Sequence, residues 1–300
     1  MTGKDAILCA GRIYCDLVFS GLKGGPEPGR EVFADRLALC AGGGAYITAA
    51  YLSALGRDAA LLGVLPVPPF AATVTKEMVQ NRVISHCTEP EPGADPQVTV
   101  ALAHGGDRTF VTRRSGAALD LQKGAALPDA GHLHIGELTT ALEHPDLIGV
   151  ARAQGMTVSL DCSWDAEALA DRRAQACIAS VDLFLPNAAE AEALRQNGIT
   201  AAPRVATIVK RGDQGAVAIT GGGAPLSVPA CSATVQDTTG AGDAFNAGFL
   251  SAWLAGHRLA DCLTRANRCG ALAVARLGGA GALPDLRDLA ADPAPVPGAE

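Results

Sequence analysis

Three hundred residues, 48% of them apolar, 18% charged and 35 of them glycine, exclude a disordered polar chain, which could not bury enough apolar surface to fold. A net charge of −7 with no run of Lys or Arg longer than two argues against a nucleic-acid groove. No apolar run approaches the ~18 residues of a membrane span, and nine scattered cysteines without a C-x-x-C pair fit buried thiols in a reducing cytoplasm better than a zinc or disulfide framework.

In chain order, a short buried strand is predicted over 6–10, a helix over 44–55 and a strand over 59–65. Residues 97–104 and 109–112 alternate as two strands around Gly105-Gly106-Asp107, a hairpin signal. Strand 132–136, helix 145–154, strand 156–161, helix 166–179, strand 182–185 and helix 187–196 follow. Strands at 207–210 and 216–220 precede two helices, 241–255 and 259–277. The alternation from about 130 to 210 implies right-handed β-α-β units and a mainly parallel sheet covered by helices on both faces. Ligands then bind beyond the carboxyl ends of the strands.

Two turn-rich regions, 17–39 and 97–114, break that rhythm. We read them as a small β lid standing off the main domain, its strands lying roughly within 14–39 and 97–114. Residues 1–291 then form one domain, and 292–300, with three prolines, a loose tail. The open edges of such a lid are a candidate surface for pairing two copies of the chain.

The strongest chemical signal is Asp237-Thr238-Thr239-Gly240-Ala241-Gly242-Asp243-Ala244-Phe245-Asn246-Ala247-Gly248-Phe249. Phe245, Phe249 and Trp253 fall four apart and give the helix a packing face. Small residues ahead of it let a ligand approach the backbone, and the free N–H groups of a helix start make an anion site. Gly240, Ala241 and Gly242 would offer N–H groups to a transferring phosphoryl group, and Asp243 would accept the proton of an attacking hydroxyl. The helix N-terminus is expected to keep Asp243 ionised at neutral pH. By the letters alone, Asp243 could equally be a capping acid at a glycine-rich helix start.

This segment resembles, nearly completely over thirteen positions, the second signature of the PfkB (ribokinase-like) carbohydrate kinases. The resemblance implies a ribokinase-like three-layer α/β/α sandwich with a mainly parallel central sheet and a small β lid. It implies ATP and Mg2+, a monovalent cation (K+) in some members, and a small-molecule sugar or nucleoside as acceptor.

It also implies further site residues. Gly42-Gly43-Gly44-Ala45, before a helix ending Ala54-Leu55-Gly56, resembles the first signature, in which a glycine pair (here Gly42 and Gly43) lets the sugar approach. Ile47 stands where an asparagine usually bonds the substrate. Asp16 matches the acid that binds substrate hydroxyls, and Glu137 falls at a strand end where another contact is often presented. Asn187 and Glu190, in Pro186-Asn187-Ala188-Ala189-Glu190, match the N-x-x-E motif, Glu190 helping to hold hydrated magnesium and Asn187 lying near the phosphates. The same two letters also read as an N-cap with its capping-box partner. Lys210, Gly212 and Gly215 resemble the strand–turn of nucleotide contacts, and Asn267 with Gly270-Ala271-Leu272-Ala273 resembles the adenine-side helix. Asp237 and Thr239 match positions whose carbonyls bind the monovalent cation. The stretch Leu65-Pro66-Val67-Pro68-Pro69-Phe70 departs from the family's usual Gly-Asp-Asp-rich segment and, with Ile47, leaves the acceptor class open.

The expected activity is ATP-dependent phosphorylation of a hydroxyl, a primary one, on a sugar or sugar derivative. The alternatives are a nucleoside kinase of the same fold and a non-catalytic nucleotide- or sugar-sensing protein. A Walker P-loop, a G-x-G-x-x-G after the first strand, H-E-x-x-H and G-x-S-x-G are all missing from the sequence. His132 and His134 alternate on a strand and read as core or lining residues rather than a metal pair.

Overall fold

Side chains along the central strands alternate between two apolar interiors: Ile7 and Cys9 face one, Leu8 and Ala10 the other. The computed structural model describes residues 3, 5–104, 107–121, 126–276 and 278–291. Gly105 and Gly106 of the predicted hairpin, Leu277 at the predicted end of the last helix, and the predicted tail lie outside them. The chain runs β1 (Ile7–Ala10), β2 (Tyr14–Ser20), β3 (Arg36–Gly42), α1 (Gly44–Ala54), β4 (Ala59–Leu62), α2 (Phe70–Gln80), β5 (Ile84–Ser85), β6 (Val98–His104), β7 (Asp107–Arg113) and β8 (His132–Ile135). It continues through α3 (Leu138–Glu143), α4 (Leu147–Ala153), β9 (Thr157–Asp161), α5 (Ala166–Ala170), α6 (Ala174–Ser180), β10 (Leu183–Leu185), α7 (Ala188–Gln196) and β11 (Ala206–Lys210). It closes with β12 (Ala216–Thr220), β13 (Leu226–Val228), α8 (Ala241–Trp253), α9 (Leu259–Val274) and α10 (Arg287–Ala291).

Nine strands form the main sheet in the order β13-β12-β11-β10-β9-β8-β1-β4-β5. From β11 to β5 every neighbouring pair is parallel, and β12 and β13 join antiparallel. Helices α1, α8 and α9, with Val74 and Met78 of α2, cover one face, and α3 to α7 cover the other, giving the three-layer α/β/α sandwich. The chain winds outward in opposite directions from β1 and β8, so the gap between their carboxyl ends is the switch point where ligands bind in such sheets. No helix among the described residues is long and apolar enough to cross a membrane.

The second sheet has the order β3-β2-β6-β7, inserted between β1 and α1 and again between β5 and β8. Its central pair, β2 and β6, is parallel, and both outer pairs are antiparallel.

His132 and His134 project to the α8 side of β8 and are buried. Ser159 Oγ lies 2.8 Å from His132 Nε2 and 2.8 Å from His134 Nδ1, and the His132 ring meets Trp253 edge-on at 5.9 Å. Burial pulls both rings down to about 3, so they stay neutral core groups.

Some expected elements differ. The helix predicted over 166–179 is two helices, because Asp171 turns extended and its carboxylate takes the Arg173 N–H at 2.8 Å, a local bond that competes with the helix. The helix predicted from 145 begins at Leu147, and the short α3 precedes it. Helix α2 escapes the sequence reading because only Val74 and Met78 are buried, too thin a stripe to register. The strand predicted over 59–65 ends at Leu62, with only an isolated bridge at Val64.

Candidate active site

Strands β1, β8, β9, β10 and β11 end along one rim of the sheet, and each delivers a polar residue there or just beyond: Arg12, Glu137, Asp161, Asn187 and Lys210. Helix α8 starts above this rim. Its N-cap, Gly240, is left-handed (φ 73°), and a Cβ there would lie 2.8 Å from Gly279 Cα and 3.1 Å from Ile47 Cγ2. The Gly240, Gly242 and Asp243 N–H groups have no hydrogen bond to any described residue, while that of Ala241 turns back to the Thr238 carbonyl at 3.3 Å. Of the three donors expected in this loop, Ala241 is therefore already engaged, and Gly240 and Gly242 remain.

Asp243 stands in the first turn of α8, between two parts of the site. On one side a Cβ placed on Gly44 would be 2.9 Å from its Oδ1. On the other, a Cβ on Gly242 would be 3.5 Å from Lys210 Nζ. Lys210 Nζ donates to both oxygens of Asp161, at 2.8 and 2.9 Å, and to Asn246 Oδ1 at 3.2 Å. Asn246 Nδ2 in turn donates to Asp161 Oδ2 at 2.5 Å. Burial works against the Lys210 ammonium, but Asp161 and Glu190 outweigh it and hold the lysine above its ordinary range.

Burial is also the main force on Asp243. Repulsion from Asp161 adds to it, Lys210 relieves part of it, and the carboxyl is pushed up to about 7. The expectation that a helix N-terminus keeps Asp243 ionised at neutral pH is thus corrected: desolvation and carboxylate neighbours overcome the dipole, and the group straddles neutrality. Glu190 is pushed up to about 7 for the same reasons, burial first and Asp161 second.

Asp16 comes from β2, and its carboxylate fills the space where a side chain on Gly42 would go. Gly43 has φ 102° with the Arg12 carbonyl against it, so no other residue fits there without strain. Glu137, just past β8, accepts the Arg12 N–H at 3.0 Å and the Thr140 hydroxyl at 2.8 Å, and burial raises its pKa. Ile47 is buried and packs beneath Gly240 and Gly279, so it braces the helix start.

Toward the β11 side, Asn187 and Glu190 form a reciprocal capping box on α7, with bonds of 2.9 and 2.8 Å. Gly212 and Gly215, at φ 58° and 82°, make the 3-10 turn between β11 and β12. Asn267 spends its amide on the carbonyls of Val228 (3.3 Å) and Pro229 (2.9 Å), bracing the chain after β13 against α9. The Asp237 carboxylate accepts the Thr239 N–H at 2.7 Å and the Gly278 N–H at 2.5 Å and fixes the loop ahead of α8. Among the described residues, no group of three or more His, Cys, Asp or Glu side chains forms a ready metal cage.

Sequence reasoning missed Arg12, Asp161 and Asn246. Asp161 ends a predicted strand at its carboxyl end, the same signal that marks Glu137. Asn246 is one turn along α8 from Asp243, within the recognised motif.

The model of the pfkB family of carbohydrate kinases matches residues 7–286. The ATP-dependent ribose-1-phosphate kinase of Halopiger xanaduensis is 33% identical over 159 residues, 50% of this chain and 50% of that protein. The match therefore spans about half the length of this curated relative. The Methanocaldococcus jannaschii nucleoside kinase, an archaeal member of the ribokinase family, superposes with a TM-score of 0.77 at 21% identity, covering 96% of this chain and 98% of that one. Ribokinase of Cryptococcus neoformans var. grubii serotype A in complex with ADP gives a TM-score of 0.78 at 19% identity, covering 96% and 99%. These two likenesses establish a ribokinase fold.

Proposed function

The chain belongs to the pfkB family of carbohydrate kinases, and from that premise we propose that it transfers the terminal phosphoryl group of ATP to a hydroxyl, a primary one, of a sugar or sugar derivative. The observation that carries the reading is the position of Asp243, in contact distance of Gly44 on the acceptor side and one residue from the Gly242 that faces Lys210. A base there lies between an acceptor hydroxyl and the phosphates it attacks.

In this reading Asp16 and Glu137 accept hydrogen bonds from acceptor hydroxyls at the mouth of the lid. Asp243 takes the proton from the attacking oxygen. Because the transition state is largely dissociative, little charge builds on that oxygen and a late transfer to a carboxylate suffices. The Gly240 and Gly242 N–H groups receive charge on the transferring group, and Lys210 with Gly212 and Gly215 lines the nucleotide side. Asn187 shapes that side by capping α7, and Asn267 does so by holding its wall. Lid residues exclude water from the transferring group.

Hydrated magnesium needs only one or two carboxylates besides the phosphates, and the hard oxygens of Glu190, with Asp161 beside it, fit that requirement. When bound, the ion neutralises charge on the phosphates. With the Asp237 carboxylate committed to its loop, a monovalent cation would be held by the main-chain carbonyls of Asp237 and Thr239.

The test is ADP release with Mg-ATP over a panel of free sugars, sugar acids, sugar phosphates and nucleosides. Release that depends on one acceptor class supports the reading and separates sugar from nucleoside. ATP binding without release on any acceptor would favour a sensor. We also expect kcat/KM for the acceptor to rise with pH with an inflection near 7, since the base works only when Asp243 has lost its proton. A profile flat between about pH 5 and 8 would remove Asp243 from the base role.

The lid's edge strands β3 and β7 leave Leu37, Leu39, Phe110 and Val111 exposed, which supports pairing of two chains lid to lid. Sedimentation should then give the mass of two chains, and a monomer at micromolar concentration would count against it.

A further inference from the structure

The lid meets the main domain at four crossings: 11–13 after β1, Gly42 and Gly43 after β3, Gln97 before β6, and 114–116 after β7. Arg12 touches all of them. It forms part of the first, and its carbonyl packs against Gly43. Its guanidinium donates to Gln97 Oε1 at 2.8 Å, to the Ser115 carbonyl at 3.2 Å and to the Gly116 carbonyl at 2.8 Å. The fork then anchors on Glu143 of α3, at 2.5 Å. Gln97 returns a bond to the Ile13 carbonyl at 2.8 Å, closing the ring.

Arg12 is only 2% exposed. A buried guanidinium is costly unless its donors are met. The terminal nitrogens of Arg12 are met by these four partners, and Nε alone lacks one among the described residues. The planar fork demands partners in fixed directions. This set of partners therefore favours the observed lid angle. The same residue's N–H bonds Glu137, the main-domain carboxylate at the acceptor site, while Asp16 rides on the lid strand β2.

We propose that Arg12 is a positioning residue that fixes the lid's angle and so holds Asp16 in register with Glu137, setting affinity for the acceptor and not for ATP. The inference rests on the kinase reading above and adds to it a residue absent from the sequence signatures. Lysine keeps the charge but, as a single ammonium, cannot span the partners on both sides of the crossings.

The experiment is steady-state kinetics of Arg12→Lys and Gln97→Met, with melting curves to establish the folded fraction. Arg12→Lys should raise KM for the acceptor about tenfold or more, the scale of losing charged hydrogen bonds, with KM for ATP nearly unchanged. Acceptor-independent ATP hydrolysis should rise relative to transfer. Gln97→Met, which keeps the Glu143 anchor, should shift acceptor KM in the same direction by less. A folded Arg12→Lys protein whose two KM values move together, or not at all, overturns the inference. If that variant does not fold, an unmoved acceptor KM in Gln97→Met overturns it instead. Failure of the kinase reading is distinguishable, because it shows in the wild type as absence of acceptor-dependent ADP release.

Discussion

Asp243→Asn is expected to lower kcat by about 10²–10⁴-fold, the usual contribution of a positioned base, and to leave ATP affinity nearly unchanged. Asparagine has the same shape, so the Gly44 contact and the helix start survive while the proton acceptor is lost. The variant should also lose the pH inflection near 7, because that inflection belongs to the residue removed. Coupled ADP release and calorimetric ATP titration on the same preparation make the check. Turnover within a fewfold of wild type would show that another group takes the proton.

Lys210→Met should be the most destabilising single change at the site. The lysine donates hydrogen bonds to Asp161 and is felt electrostatically by Glu190 and Asp243, all recessed beside it. Removing one partner of a buried pair costs about 3–5 kcal/mol, since the remaining charge keeps its desolvation penalty. The sign with pH follows from linkage. Asp243 and Glu190 have pKa values raised in the folded state, so the native protein binds more protons than the unfolded chain between the two values. Stability from these groups therefore falls as pH rises toward 7, and without Lys210 it falls further. Urea unfolding should show the deficit largest above pH 7 and smaller toward pH 5. Equal midpoints for variant and wild type at pH 8 would contradict this stabilising role of Lys210.

Much of the site was legible because its residues sit where strands end and helices begin. Glu137, Asn187, Glu190 and Lys210 lie at or just past the end of a strand and Asp243 at the start of a helix, each located by the periodicity of the adjoining apolar run, and the structure gathers them around one rim. Asp161 is not legible in sequence, because an acid ending a strand looks like an ordinary boundary residue and its partner Lys210 is 49 positions away. Arg12 was illegible for a related reason. Its five bonded partners come from the lid, α3 and the β8 end, and no local pattern announces that they converge. The charge state of Asp243 misled in the other direction. The helix dipole is a local property that sequence reveals, whereas burial among Asp161, Glu190 and Asp16 exists only after assembly. In the fold, the parallel core followed from strand and helix periods, while α2 and β5 carried too few buried side chains to register.

The parallel order of the main sheet makes the chemistry a late product of folding. Each parallel pairing closes a long loop before its contacts return any free energy, and such pairings form slowly. Asp16, Glu137, Asp161, Glu190, Lys210 and Asp243 sit on separate segments and meet only when those pairings are in register. Before then the carboxylates of Glu137, Glu190 and Asp243 are dispersed in water, without the burial that raises their pKa values, and no lysine is shared among them. A half-assembled chain thus holds the letters of the site without its acid–base character.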